Sequence, residues 1–339
     1  MTSLFVVLVL AADAGVTAPA LDRRTRELMH TEVSLALPSS VPVDVREAAF
    51  GEAFAVFEDI EANLNEWKSD SPLAKVNASE GKPVDAPKTV CSVVSLALDG
   101  AKRTKGLFDP TWAALREVWK FGSAEDGAVP AYKEVQAKCA LVGWAKVRVS
   151  PHPDGSCAIT LQKGMRLGLG GVVKGWGVDQ VVSLFRARGL KDFFVQAGGD
   201  LYVGGLVEGR KWRVGIRDPR GPKTQSFAKV ELSDAAFSTS GDYEHFFVKD
   251  GVRYHHLIDL RTCQPARASV SATVLAKSAT DAEFLTKAAF ILGPKEGQPL
   301  VRTFGAAAVW VTPDGKVHAT EGLEKELIDV WAPSGLPGP

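Results

Sequence analysis

An excess of charge of one sign is missing from this sequence: 40 Lys and Arg are matched by 40 Asp and Glu. A balanced chain carries no basic footprint for a polyanion, which sets nucleic acid aside as a partner. Cysteine is scarce, and Cys91, Cys139, Cys157 and Cys263 form no C-x-x-C pair, so the usual zinc-site spacing is absent. Cys139 and Cys157 flank one hairpin-like stretch and can pair with each other in an oxidising compartment. Long apolar runs are missing too. The run from Leu4 to Ala12 is too short to cross a bilayer, and no other segment is long enough. Followed by Ala12-Asp13-Ala14, it reads as a secretory signal cleaved after Ala14, although its first residues include no Lys or Arg. A buried first strand is the competing reading. Export to the periplasm is the expectation, with the cytoplasm as the alternative. No internal repeat and no linker divides the 339 residues, so one unit, bilobal at most, is expected over 27–331. A leader precedes it (1–26), and a Pro/Gly-rich tail over 332–339 is expected to be disordered.

What is present is an ordinary globular composition, 45% hydrophobic and 24% charged, with both structural periods readable. The stretch Ala279 to Gly293 is the organising one. Thr280-x-x-Glu283 has the capping-box pattern, Ala282, Leu285, Ala289 and Leu292 recur at helical spacing, and Gly293-Pro294 stops the helix. Asp281 falls in the first turn, where the helix dipole favours a carboxylate. It reads equally as a helix-start residue or as an oxygen ligand for a hard cation such as Mg2+.

Further helices are predicted over Val43–Trp67 and Val90–Thr104, and a third follows the glycine-rich segment Gly168-Leu-Gly-Gly-Val-Val-Lys-Gly175. That segment is suited to hold phosphate on free amides, but it matches neither dinucleotide fingerprint and serves as well as a tight packing turn. Strands are predicted at Thr31–Leu37, Phe193–Gln196, Lys211–Asp218, Val230–Leu232, Val270–Ala276 and Ala306–Val311, with a hairpin around Asp250-Gly251. Meandering strands with a few long helices predict an α+β fold with mainly antiparallel sheets.

The motifs, in order, are Met29-His-Thr31, Trp67 to Asn77, Phe108-Asp-Pro-Thr111, Leu169 to Asp179, Gln196-Ala-Gly-Gly-Asp200, Ser238 to Tyr243, Tyr254 to Asp259 and Thr280-Asp-Ala282. Together they resemble the ApbE family of FAD:protein FMN transferases over roughly Leu28 to Gly293. The resemblance implies an enzyme that binds FAD, uses Mg2+, and moves FMN onto a threonine hydroxyl of a partner flavoprotein, releasing AMP. It places flavin and adenine contacts at Met29, Trp67, Leu107, Phe108, Asp109, Lys174 and His256. Metal ligands fall at the Gly171 carbonyl, Asp281 and Thr286; Asp281, Lys174 and His256 become the catalytic candidates. Splitting a diphosphate needs charge stabilisation above all, which Mg2+, the Lys174 ammonium and the amides of 170–175 are suited to give. Trp67 offers an aromatic face, or simply packs. His255 and His256 point to opposite faces of a strand and cannot share one metal without a bulge. Asp242 and Tyr243 read as acid/base groups or as an ordinary turn and strand.

Three departures from the family pattern stand out. Gly168 replaces a usual aspartate, and Asp259-Leu-Arg-Thr-Cys263 lacks the usual proline and glycine. The family's helical aspartate and threonine are four apart, whereas Asp281 and Thr286 are five apart, about 140° around a regular helix; a π-bulge would realign them. An FAD pyrophosphatase and a non-catalytic FAD-binding protein are the alternative functions.

Overall fold

An eight-stranded antiparallel sheet is the largest among the described residues. In the computed structural model, which describes residues 20–121 and 127–336, its strands lie in the order Leu21–Leu28, Thr31–Pro38, Phe193–Ala197, Asp200–Gly204, Ala235–Gly241, Ser271–Ala276, Ala307–Val311, Val317–Ala319. Every neighbouring pair is antiparallel, as the meander pattern predicts. Alternation decides which side each residue serves. Val309 and Val311 join Phe194, Leu201, Val203 and Phe237 in a core closed by Trp212, Val214 and Phe227 from the small sheet Trp212–Arg217, Ser226–Leu232, Leu327–Ile328. Trp310, between the two valines, instead donates its indole N–H to the Ala289 carbonyl (3.0 Å) of the helix Ala279–Thr303.

That sheet belongs to a unit made of the chain up to Glu58, Lys174–Gly241 and Ala268 onward. A second unit takes Asp59–Val173 and Asp242–Arg267. Its sheets are small: Val84–Ala86, Cys157–Thr160 and Arg148–Pro151 form one, and the hairpin Phe246–Lys249/Val252–His255 another. The hairpin turns at Asp250 and Gly251 (φ 51° and 76°), where the Asp-Gly signal predicted it. Leu115, Trp119, Val135, Phe247, Ile258 and Cys263 form a core of this second unit.

Several boundaries differ from the sequence expectation. Residues 21–26, assigned above to the leader, are already strand, paired with 33–38; their Arg-rich run hid an edge strand, a place where charge is common. The apolar run 4–12 and its Ala12-Asp13-Ala14 site lie outside the described residues. The tail is docked at its start: Ser334 donates from its amide and hydroxyl to Asp218 (3.0 and 2.7 Å), and Leu336 packs on the sheet core. Cys139 pairs not with Cys157 but with Cys263, and Cys157 pairs with Cys91, each with Cα atoms 5.9 Å apart. Nearness in sequence misled here, because the 242–267 segment returns to the second unit from more than a hundred residues away.

Candidate functional site

The helix Ala279–Thr303 has its cap two residues earlier than predicted. Ser278 is the N-cap, accepting from the Asp281 amide (3.1 Å). Asp179, on the helix Val173–Ala187, accepts from the Ala279 and Thr280 amides (2.8 and 2.9 Å) and from the Thr280 hydroxyl (2.6 Å). The orphan amides of the helix start are thereby satisfied by a side chain a hundred residues away. Burial raises the Asp179 carboxyl above its ordinary range, and Asp281 beside it adds to the rise. Gly293 breaks the helix as predicted (φ 71°), and a side chain there would press on Ala268.

With the cap at Ser278, Glu283 is free to face inward, and it is fully buried. One of its oxygens takes the Lys174 ammonium; the other accepts from the Gly175 amide (2.8 Å). Lys174 also lies 3.3 Å from Asp200, which is itself buried and accepts from the Ser238 hydroxyl. Lys287, one helical turn beyond Glu283, donates to the Glu283 carbonyl (2.8 Å) and reaches within 3.9 Å of its carboxylate. Burial works to lower Lys174, but the Glu283 and Asp200 carboxylates outweigh it and hold the ammonium above its usual range. Burial raises Glu283, with Asp200 adding, while Lys174 and Lys287 pull it back. Lys287 is lowered by burial, with Lys174 adding.

Tight glycines make this approach possible. Any side chain at Gly175 would collide with the Ala279 backbone. A side chain at Gly198, in the Gln196-Ala-Gly-Gly-Asp200 turn, would come within 2.7 Å of the Thr31 hydroxyl and 3.7 Å of Lys174. Thr31 opens the strand after Met29 and His30, both at positive φ (53° and 57°), a strained two-residue turn for residues with side chains.

The metal set predicted from Asp281 and Thr286 does not converge. The helix is regular between them, with no π-bulge, so the two side chains diverge. The buried Thr286 hydroxyl is occupied by Ser240 (2.8 Å) and the Glu283 carbonyl (3.0 Å). Asp281 acts on Asp179, whereas the acids acting on Lys174 are Glu283 and Asp200. Three of the 170–175 amides are spent as well: Val172 and Val173 donate to Leu169, and Gly175 to Glu283.

The remaining candidates belong to the second unit. Asp109 starts the turn Pro110–Glu117, and its carboxylate accepts from the Thr111 amide and hydroxyl (2.8 and 2.6 Å) and the Trp144 amide (2.8 Å). That use is structural, and burial raises the group despite these bonds. Phe108 is buried in the core and Leu107 is partly covered. Trp67 is 71% exposed, an open ring rather than a core one. His255 is satisfied, its Nε2 donating to the Ala266 carbonyl (2.9 Å) and its Nδ1 accepting from Leu257 (3.3 Å). Burial lowers it to about 4, so it is neutral. His256 instead meets His245 edge to face, centroids 5.2 Å apart.

The sequence pattern gave Asp179, Asp200 and Lys287 no site role, and it gave Glu283 only that of a helix cap. Glu283 had a signal: a carboxylate two positions before Leu285, flanked by Ala282 and Phe284 in an otherwise apolar stretch. The capping-box match absorbed it.

The ApbE family model matches residues 29–310. The chain is 35% identical, over 84% of its length and 83% of the relative's, to an FAD:protein FMN transferase of Treponema pallidum. It is 30% identical, over 80% and 82%, to one of Vibrio cholerae. Among solved structures it superposes on the ApbE protein of Thermotoga maritima with a TM-score of 0.79 at 28% identity, covering 90% of this chain and 99% of that one. The flavin transferase ApbE of Vibrio cholerae gives 0.78 at 25%, covering 91% and 99%. With the family's motifs, fold and sequence all in place over most of its length, this chain belongs to the ApbE family.

Proposed function

We propose that this protein is an FAD:protein FMN transferase. The observation that carries the reading is the charged Lys174 ammonium, held by Glu283 and Asp200 where the glycine-rich segment enters its helix. In the proposed reaction, a threonine oxygen of an acceptor flavoprotein attacks the FMN-side phosphorus of FAD. The bridging P–O bond breaks, AMP leaves with the bond's electron pair, and the threonine proton passes to solvent or a nearby base. Negative charge grows on the phosphoryl oxygens, and a fixed ammonium in a covered place offsets it better than water does.

Mg2+ would supply further neutralisation of the diphosphate. Glu283 and Asp200, carboxylates gathered on one ammonium, suit it as oxygen donors better than the Asp281–Thr286 pair, which diverges around a regular helix. Met29, Trp67 and His256 remain the proposed flavin and adenine contacts, with Asp109 keeping the 107–111 turn in shape. Both disulfides support an exported, periplasmic location, since such bonds persist in oxidising compartments.

Incubation with FAD and Mg2+, with and without an acceptor carrying the threonine, tests the function by intact mass. An FMN adduct and AMP that appear only with acceptor support it. FMN and AMP formed without acceptor would make the protein a pyrophosphatase, and fully recovered FAD would make it a binding protein.

A further inference from the structure

Three pieces of the second unit meet at Arg116: Glu66–Trp67, its own turn, and Gly168. Its guanidinium pairs with Glu66 and lies over two indoles, Trp112 at 4.3 Å and Trp67 at 5.2 Å from the ring centroids. Gly168 leaves it room: a Cβ there would stand 3.0 Å from the guanidinium and 3.2 Å from the Trp112 indole nitrogen. Its charge is felt at His245, which partial burial and then Arg116 hold below the ordinary value, and His245 in turn packs on His256. Trp67 and His256 are thus linked through one cation that touches the first and acts on the neighbour of the second.

We propose that Arg116 is a positioning residue, seating the exposed Trp67 ring so that it presents a ready-made face to a planar ring of the flavin dinucleotide. The inference rests on the reading that FAD meets Trp67 and His256. An indole on the surface samples several rotamers. A guanidinium stacked beneath it, itself fixed by Glu66 and Trp112, restricts that freedom before the ligand arrives, and preorganisation of this kind appears as affinity. Lysine replaces it only in part, since an ammonium keeps the charge but has no plane to stack.

The test is FAD affinity by flavin fluorescence in the absence of acceptor, with KM, kcat and thermal midpoint, for Arg116→Met, Arg116→Lys and Trp67→Ala. Arg116→Met is expected to raise Kd and KM about tenfold with kcat little changed, and to let the His245 titration move up by NMR. Arg116→Lys should recover only part of the affinity. Wild-type Kd in Arg116→Met beside weakened binding in Trp67→Ala would overturn the proposal and leave the flavin reading standing. Unchanged Kd in Trp67→Ala would remove the flavin face itself. A fall in kcat and thermal midpoint with Kd unchanged would reduce Arg116 to a structural part and overturn the proposal as well. Should Arg116→Met fail to fold, Glu66→Gln, which loosens the guanidinium without removing it, gives the same readings.

Discussion

All four cysteines lie in the smaller unit, while the unit built on the eight-stranded sheet has none. The larger unit gathers two buried acids, Glu283 and Asp200, and two half-buried lysines, Lys174 and Lys287, in one cluster. It rests on a wide sheet whose inner strands Phe193–Ala197 and Asp200–Gly204 are covered throughout. The smaller unit has only short strands, and its two chain segments are joined by Cys139–Cys263, by the Trp119 indole donating to the Cys263 carbonyl (3.0 Å), and by stacked Trp119, Phe121, Tyr254 and Phe247. A large sheet holds a buried charge cluster by packing and ladder hydrogen bonds. A small unit with little sheet holds its parts by covalent and aromatic clasps.

The sharpest way to break this contrast is at Lys174. Lys174→Met leaves Glu283 and Asp200 sharing burial without their cation, and about 3–5 kcal/mol of stability should be lost, read as a denaturant midpoint. Transfer to acceptor should fall about 10²–10³-fold. If the double variant Lys174→Met/Glu283→Leu regains stability yet stays inactive, the cluster serves chemistry rather than folding. Next comes the disulfide clasp. Cys139→Ser/Cys263→Ser should cost about 2–5 kcal/mol, and hydrogen exchange should rise across 59–173 and 242–267 while the eight-stranded sheet keeps its protection. Equal loss in both units would erase the distinction.

A pH titration gives a smaller effect confined to the second unit. His255 is lowered from 6.5 to about 4 in the folded protein, so the unfolded chain binds the extra proton first. The stability it contributes is complete above pH about 6.5 and is lost as the pH falls toward 4, on the order of 3 kcal/mol. His255→Gln should flatten that part of the stability–pH curve. Smallest of all is Thr286→Val, which removes a buried hydroxyl with two partners. About 1 kcal/mol should go, and the Mg2+ dependence of transfer should not move.

The sequence exposed the elements with strong periods. The long helices, the alternation through Trp212 to Ile216 and the Asp-Gly hairpin all fall where predicted, because local pattern alone decides them. The Arg-rich edge strand Leu21–Leu28 and the disulfide pairing depend on which distant segment comes alongside, and no local pattern records that. At the site, Lys174 and the Gly-Gly-Asp turn were legible as motifs. Glu283 was not, because its role follows from the register of a helix whose true cap is Ser278, with Asp179 completing it. Moving the cap by two residues changes which carboxylate looks inward.

That exchange of carboxylates is best tested by flavinylation of an acceptor with Glu283→Gln and Asp281→Asn assayed side by side with FAD and Mg2+, read by intact mass. Glu283→Gln is expected to abolish the FMN adduct and Asp281→Asn to retain it. Loss in Asp281→Asn with transfer preserved in Glu283→Gln would contradict it.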